Sequence, residues 1–266
     1  MQSNAVSTLV VCALAALPVW CDPLLTFDAP DADQGVAVDA DHVYVIDNRV
    51  VAQHDKETGD QLARWEAPKG NAIIHMNSGM VHNDRLFVAH SNYPFLPMTG
   101  SLEIFDAKSL THLDSHSFGI TDGSFTWMDR HDGHWWACFV HYDHDAEKEK
   151  GNAWTRVVKM NDAFQPLEAW VLPKSVLDAL APDSASGGAW GPDGCLYLSG
   201  HDKPELYALT LPESGSTLIH TGTYAFRNQG QAIAFDRSGT GLLYGIVRKT
   251  SRVVAAPFEE VLDHKR

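Results

Sequence analysis

Basic residues are scarce in this chain of 266 residues: 20 lysines and arginines stand against 34 aspartates and glutamates, a net charge of −14. Phosphate backbones and anionic membranes are bound by clusters of Lys and Arg, and none occurs, so neither nucleic acid nor a membrane surface is an expected partner. Cysteine is sparse as well. Of the four, Cys12 and Cys21 fall in an atypical N-terminal segment, which leaves Cys138 and Cys195 inside apolar stretches, where buried free thiols are the expected state. There is no CxxC or zinc-ribbon spacing, no GxSxG, no P-loop and no GxGxxG opening a helix. Serine-hydrolase and nucleotide chemistry therefore have no support, and no nucleotide cofactor is expected.

Helical character is confined to PKSVLDALAP, residues 173–182. The charge-free run AVSTLVVCALAALPVW, residues 5–20, is shorter than the ~20 residues that span a bilayer. It reads as the h-region of a secretory signal, with Ala13-Leu14-Ala15 as a cleavage site, although no Lys/Arg stretch precedes it. Residues 1–21 are expected to be removed, giving a secreted or periplasmic monomer with no membrane attachment.

What is present is a recurring pattern of short β-branched and aromatic runs, the mark of an all-β chain. Five Gly-rich or small-residue entries begin at Gln34 (QGVAVD), Asn77 (NSGMVH), Gly123 (GSFTWMD), Ser186 (SGGAWGPDG) and Gly230 (GQAIAFD). Each is followed by a second strand (HVYVID, RLFVAH, HWWACFVH, CLYLSGH, LLYGIVR) and a third (VVAQHD, SLEIFD, RVVKMN, ELYALT, RVVAAP). Spacings of about 43 to 63 residues are those of propeller blades. The fifth unit lacks a fourth strand, and PLLTFDAP (residues 23–30) precedes the first entry. Placed outside the fifth unit it would close the circle and remove an unpaired edge. The sequence predicts one five-bladed β-propeller over residues 22–260, with 261–266 as a C-terminal tail.

Alternation of strand direction then sorts the turns. The turns after second strands and those entering first strands share one face, here called the top. His90, His141 and His201 end three second strands, Asp47 and Asn48 end the first, and Arg248 with Lys249 the fifth. The entries add Asp33, Gln34, His75, Asn77, Asp122 and Gln231 to that face, and the long loop after His90 adds Asn92, Tyr93, Phe95 and Met98. The opposite, far face receives ordinary turn chemistry such as DADH and HNDR. A ligand site at the top mouth is expected.

Two chemistries fit. His75, His90, His141 and His201 could hold one divalent ion, Zn²⁺, Mn²⁺ or Ca²⁺, with Asp33 or Asp122 completing the shell and Asp143 and Asp202 orienting the rings. Alternatively His90, His141 and His201 act as acid and base without metal, and Arg248 clamps an anionic group. Gln34, Asn77, Asn92, Tyr93, Asp122 and Gln231 would bind the substrate, with Trp127 or Trp190 stacking on a sugar ring from the axis. The bland alternative is histidines that cap strand ends and do nothing else. A non-catalytic ligand-binding or protein-interaction propeller is the rival to an enzyme.

The stretches HMNSGMV…LFVAHSNYPFLPMTGSLEIFD, SFGITDGSFTWMD, SGGAWGPDGCLYLSGHDKPELYAL and GQAIAFDRS…LLYGIVR resemble small secreted bacterial proteins with YVTN- or quinoprotein-dehydrogenase-like propeller repeats. Some of these carry the label cycloisomerase. The resemblance runs over nearly the whole of the chain after residue 21, and it implies a propeller with a shared top-face site. The residues themselves lead to the expectation of an exported enzyme acting there on a small carboxylated or sugar-derived molecule. Lyase, isomerase or hydrolase chemistry would follow. It does not extend to a quinone cofactor, which would need a much larger propeller.

Overall fold

The computed structural model describes residues 22–144 and 150–266. The expected signal segment and the acidic run 145–149 lie outside the described residues. The chain enters through β1 (Leu25–Asp28). Blade one follows as β2 (Gly35–Val38), β3 (His42–Asp47), β4 (Val50–Asp55) and β5 (Gln61–Glu66). Blade two is β6 (His75–His82), β7 (Arg85–Ser91), β8 (Thr99–Asp106) and β9 (His112–Ile120). Blade three is β10 (Ser124–His131), β11 (His134–Val140), β12 (Arg156–Met160) and β13 (Pro166–Val171), followed by the helix α1 (Lys174–Leu180). Blade four is β14 (Gly187–Trp190), β15 (Leu196–Ser199), β16 (Glu205–Thr210) and β17 (Ile219–Ala225). Blade five holds β18 (Ile233–Phe235), β19 (Leu242–Val247) and β20 (Arg252–Pro257), and then comes α2 (Phe258–Leu262).

The twenty strands make five four-stranded antiparallel sheets, and the fourth strand of blade five is β1. It pairs with β20 from Leu25↔Ala255 to Asp28↔Arg252. The expected five-bladed propeller, closed by the N-terminal strand, is what forms.

The innermost strands β2, β6, β10, β14 and β18 contact one another around the axis. Crowding there explains the small entries. A Cβ on Gly35 would strike the Asn77 carbonyl oxygen, and one on Gly188 would enter the Trp127 ring. The apolar core lies between blades, as five clusters, one per interface. Trp127 packs with Trp136, Trp190 and Tyr207 between blades three and four, and Phe125 with Phe139 and Phe87 between two and three. Each such side chain contributes about 1.5–3 kcal/mol by leaving water. Trp127 is thus a core residue, with no face on the axis for a sugar. Residues 264–266 are also not a loose tail. Ala225 N–H donates to the His264 carbonyl, Arg266 N–H to the Thr223 carbonyl, and Arg266 meets Glu205 at 2.6 Å, so the segment covers the outer edge of blade four.

The far face departs from the sequence reading. Aspartates there brace their own blades: Asp39 lies 2.6 Å from the Tyr44 hydroxyl and Asp193 2.7 Å from that of Tyr197. Blade three has no tyrosine in β11. Its Asp129 instead takes two bonds from Arg237 of blade five (2.8 and 2.7 Å) and one from the Trp190 backbone N–H of blade four (2.7 Å). One buried carboxylate therefore ties three blades together beside the axis.

Candidate functional site

Five blades converging on one axis leave a depression at the top mouth, and side chains from blades one to five surround a cavity of about 280 Å³ there. Of the residues named from the sequence, Gln34, His75, Asn77, Tyr93, His201, Gln231 and Arg248 line it. Tyr142, His144, Asp183 and Ser186 complete the wall.

Arg248 is the electrostatic centre. Its Nε donates to Asp33 Oδ1 (2.8 Å) and its Nη1 to His201 Nε2 (2.7 Å). A guanidinium only donates, so the His201 Nε2 carries the lone pair and the ring hydrogen sits on Nδ1. That Nδ1 lies 3.1 Å from Asp202 Oδ2 and 3.8 Å from Asp183 Oδ2. Asp183 also meets His144 Nε2 at 2.9 Å. One imidazole nitrogen thus meets a cation, and the other faces carboxylates without a hydrogen bond among the described residues.

His75 stands on another wall. Its Nδ1 donates to Asn48 Oδ1 at 2.5 Å, and Asn48 Nδ2 donates to Asp47 Oδ1 at 2.8 Å. Burial, and then the charges of His90 and Arg248, lower the His75 pKa to about 4, so the ring is neutral at physiological pH. Burial and then the neighbouring Asp33 push the Asp47 carboxyl up. His75 touches Tyr93 (centroids 5.2 Å), Tyr93 touches Tyr142 (5.4 Å) and Tyr142 stacks on His144 (5.5 Å), which makes a continuous aromatic side to the cavity. On the floor, Asn77 Nδ2 donates to the Phe125 carbonyl at 3.0 Å. Gln231 holds a left-handed φ of +64°, fixed by a bond from Ser199 Oγ to its carbonyl. A left-handed conformation costs a non-glycine residue about 1 kcal/mol or more, and such strain gathers at ligand sites.

A depressed histidine pKa has a measurable consequence. Unfolded histidine titrates near 6.5 and His75 near 4, so between these values the unfolded chain binds more protons. The stability this confers is complete above pH 6.5 and is lost as pH falls toward 4, about 3 kcal/mol in all. Urea unfolding at pH 7 and pH 4.5 is expected to show the loss, and His75→Gln is expected to remove its own share. His82 and His90 are lowered in the same direction and deepen the loss at low pH.

Four residues expected to be catalytic or substrate-binding, His90, His141, Asn92 and Asp122, do not line the cavity. His90 Nε2 accepts from the Ile74 N–H (3.1 Å) and its Nδ1 donates to Ser101 Oγ (2.8 Å), which passes its hydrogen to buried Glu103 (2.6 Å). Both nitrogens serve the interior of blade two. Asn92 ties its own loop, donating to the Pro97 carbonyl and accepting from Thr99 N–H. Asp122 gathers Lys150 (2.5 Å) and Arg156 (2.6 Å), with His141 Nε2 at 3.4 Å, in a cluster of its own on blade three. His141 is therefore apart from His201.

The four histidines form no common ligand group among the described residues. The group of donors that does converge is Asp183, His201 and Asp202, with atoms within 4.8 Å of one another. A cation there would need the His201 lone pair on Nδ1, and hence a hydrogen on Nε2 facing the Arg248 N–H at 2.7 Å. The tautomer that the Arg248 contact implies suits proton transfer better than metal ligation. Asp183 escaped the sequence reading because it carries no motif. Its one signal is position, immediately before the fourth entry and so on the top face.

No family model matches the chain, and no curated protein matches it. Solved structures do. A luciferin-regenerating enzyme is similar at 9% identity over 88% of this chain and 94% of that one, with a TM-score of 0.50. Hydrazine synthase of Kuenenia stuttgartiensis gives 11% identity over 88% and 71%, with a TM-score of 0.47. A protein of unknown function from Bacteroides caccae gives 13% identity over 79% and 69%, at 0.46. At such identities the likeness is one of propeller fold.

Proposed function

We propose that the chain is an exported propeller enzyme that moves a proton on a small carboxylated or sugar-derived molecule in the top-face cavity. One observation carries the reading: His201, with Nε2 against the Arg248 guanidinium and Nδ1 facing two carboxylates, lines a cavity of a size near the lower end for small-molecule sites. A substrate carboxylate entering the cavity competes for the Arg248 guanidinium, whose Nη2 has no protein partner among the described residues. Drawing Arg248 away uncovers the His201 Nε2 lone pair, which then takes the proton next to that carboxylate. The C–H electron pair moves into the enediolate or expels a leaving group on the next carbon, which is lyase or isomerase chemistry. Asp202 and Asp183 stabilise the imidazolium that forms. Neutral His75 and the amides of Gln34, Asn77 and Gln231 orient hydroxyl groups, and Tyr93 with Tyr142 offers rings to a sugar face.

The resemblance of the sequence motifs to YVTN-like propellers, some labelled cycloisomerase, agrees with this chemistry. Export rests on residues 5–20, and N-terminal sequencing of the exported form checks it. The experiment for the site is a thermal-shift screen of uronic and aldonic acids and their lactones, then turnover assays on chelator-dialysed protein. One class is expected to stabilise the fold and to be converted. His201→Asn is expected to lower kcat at least about 100-fold with affinity little changed, and Arg248→Met to lose both. Full turnover by His201→Asn, or turnover that vanishes on chelation, would sink the mechanism.

A second reading has its own observation. Arg248 is already neutralised by Asp33, and Phe95 stands 62% exposed in the loop that carries Tyr93. Both suit a binding or protein-interaction propeller, and ligand binding without turnover in the same screen would establish it.

A further inference from the structure

The far face holds a larger pocket than the top. The turns between first and second strands of blades three, four and five, with the start of α2, enclose about 590 Å³, twice the top-face cavity. The two do not share a lining residue. At the axis beside it the free space shrinks to about 30 Å³, bounded in part by Arg237, room for a water and no more. Whatever occupies the far pocket is therefore not the top-face substrate in transit.

Its chemistry is uneven from end to end. Phe235, Phe258, Leu242 and Pro192 make an apolar wall. Next to them the His131 ring lies flat on Trp190, centroids 4.2 Å apart and planes 5° apart, with Trp136 tilted 60° against Trp190 at 4.7 Å. Both tryptophans are buried and His131 is the accessible end of the pile, so a flat ring could extend it. Trp190 Nε1–H is buried and has no acceptor among the described residues, an unmet donor. Arg237 uses its two terminal nitrogens on Asp129 and leaves Nε–H without a partner among the described residues. Arg130 pairs with Asp162, whose carboxylate is 80% exposed, a partner easily exchanged in water. Unused donors thus stand with the aromatic pile, while Glu259 stands with Phe258 and repels an anionic end.

We propose that this pocket is a second ligand site, for a planar aromatic carboxylic acid: rings against His131 and the Phe235–Phe258 wall, carboxylate toward Arg130 and Arg237. The measurement is fluorescence titration of the full mature chain with 8-anilinonaphthalene-1-sulfonate, an aromatic anion built on a flat naphthalene, with 2-naphthoate as competitor. Saturable one-to-one binding is expected, displaced by 2-naphthoate and at least tenfold less well by neutral 2-naphthalenemethanol. Pro192→Trp, which fills the pocket from an exposed position, is expected to abolish it, and Arg130→Ala to weaken it at least fivefold. Tyr93→Ala on the top face is expected to leave it unchanged. Non-saturating binding, equal affinity in both far-face variants, or loss in Tyr93→Ala would overturn the site. Equal competition by the neutral alcohol would overturn the assignment of an acid. Thermal melts of each variant check folding, and Arg130→Ala decides the matter if Pro192→Trp does not fold.

Discussion

A chain lacking residues 22–30 is expected to lose cooperative unfolding and to aggregate. Those residues supply β1, the sole neighbour of β20 on its outer side, with register from Leu25↔Ala255 to Asp28↔Arg252. Without it Val253, Val254 and Ala255 present a bare apolar edge of unpaired N–H and C=O groups. Ala29, fully buried between blades five and one, goes with it, and Leu25 and Phe27 no longer cover that cluster. Several apolar side chains at about 1.5–3 kcal/mol each are comparable with the whole stability of a domain. A synthetic peptide of residues 22–33 added in trans is expected to restore a melting transition. A truncated protein that melts as sharply, and at the same temperature, as the intact one would show that the ring does not depend on its closing strand.

Arg237→Ala is expected to destabilise the fold by about 3 kcal/mol, because it strands a carboxylate in the interior. The Asp129 side chain is 3% exposed, whereas Arg237 is 44% exposed, so the arginine's own burial accounts for little of the effect. The double variant Asp129→Asn/Arg237→Ala is expected to recover most of the loss. Asparagine keeps an acceptor for the Trp190 N–H and removes the charge. Denaturant melts of the wild type and these two variants make the measurement. If the single variant costs no more than a surface substitution, the three-blade tie is ornamental.

The blades were legible in the sequence because each repeats a local necessity: small residues at the crowded entry, apolar strands, polar turns. The closing strand was legible for a related reason, since blade five had three strands and an orphan stood at the other end. The face on which turns lie followed from strand direction alone. Side-chain direction did not. His90 is still within β7, His141 follows the last residue of β11, and His201 lies two residues past β15. A shift of one residue turns a side chain to the other face of a sheet, so three histidines at similar turns went to three places. Arg248 and His201 met because both had left the sheet. The Asp129–Arg237 tie was unreadable for another reason. It joins positions 108 apart, and neither local stretch marks the other as its partner.

The pairing of Leu25 with Ala255 also sets a clock. A ribosome adding about 5–20 residues per second needs roughly 10–50 s to make the 230 residues between them. For that time the strand made first has no partner, while blades one to four can already stack in order behind it. Until then the open ring offers two unpaired strand edges to neighbouring chains. Slower delivery of chains, or a chaperone that holds the early strand, should therefore improve the yield of closed propellers more than any change to the finished interfaces.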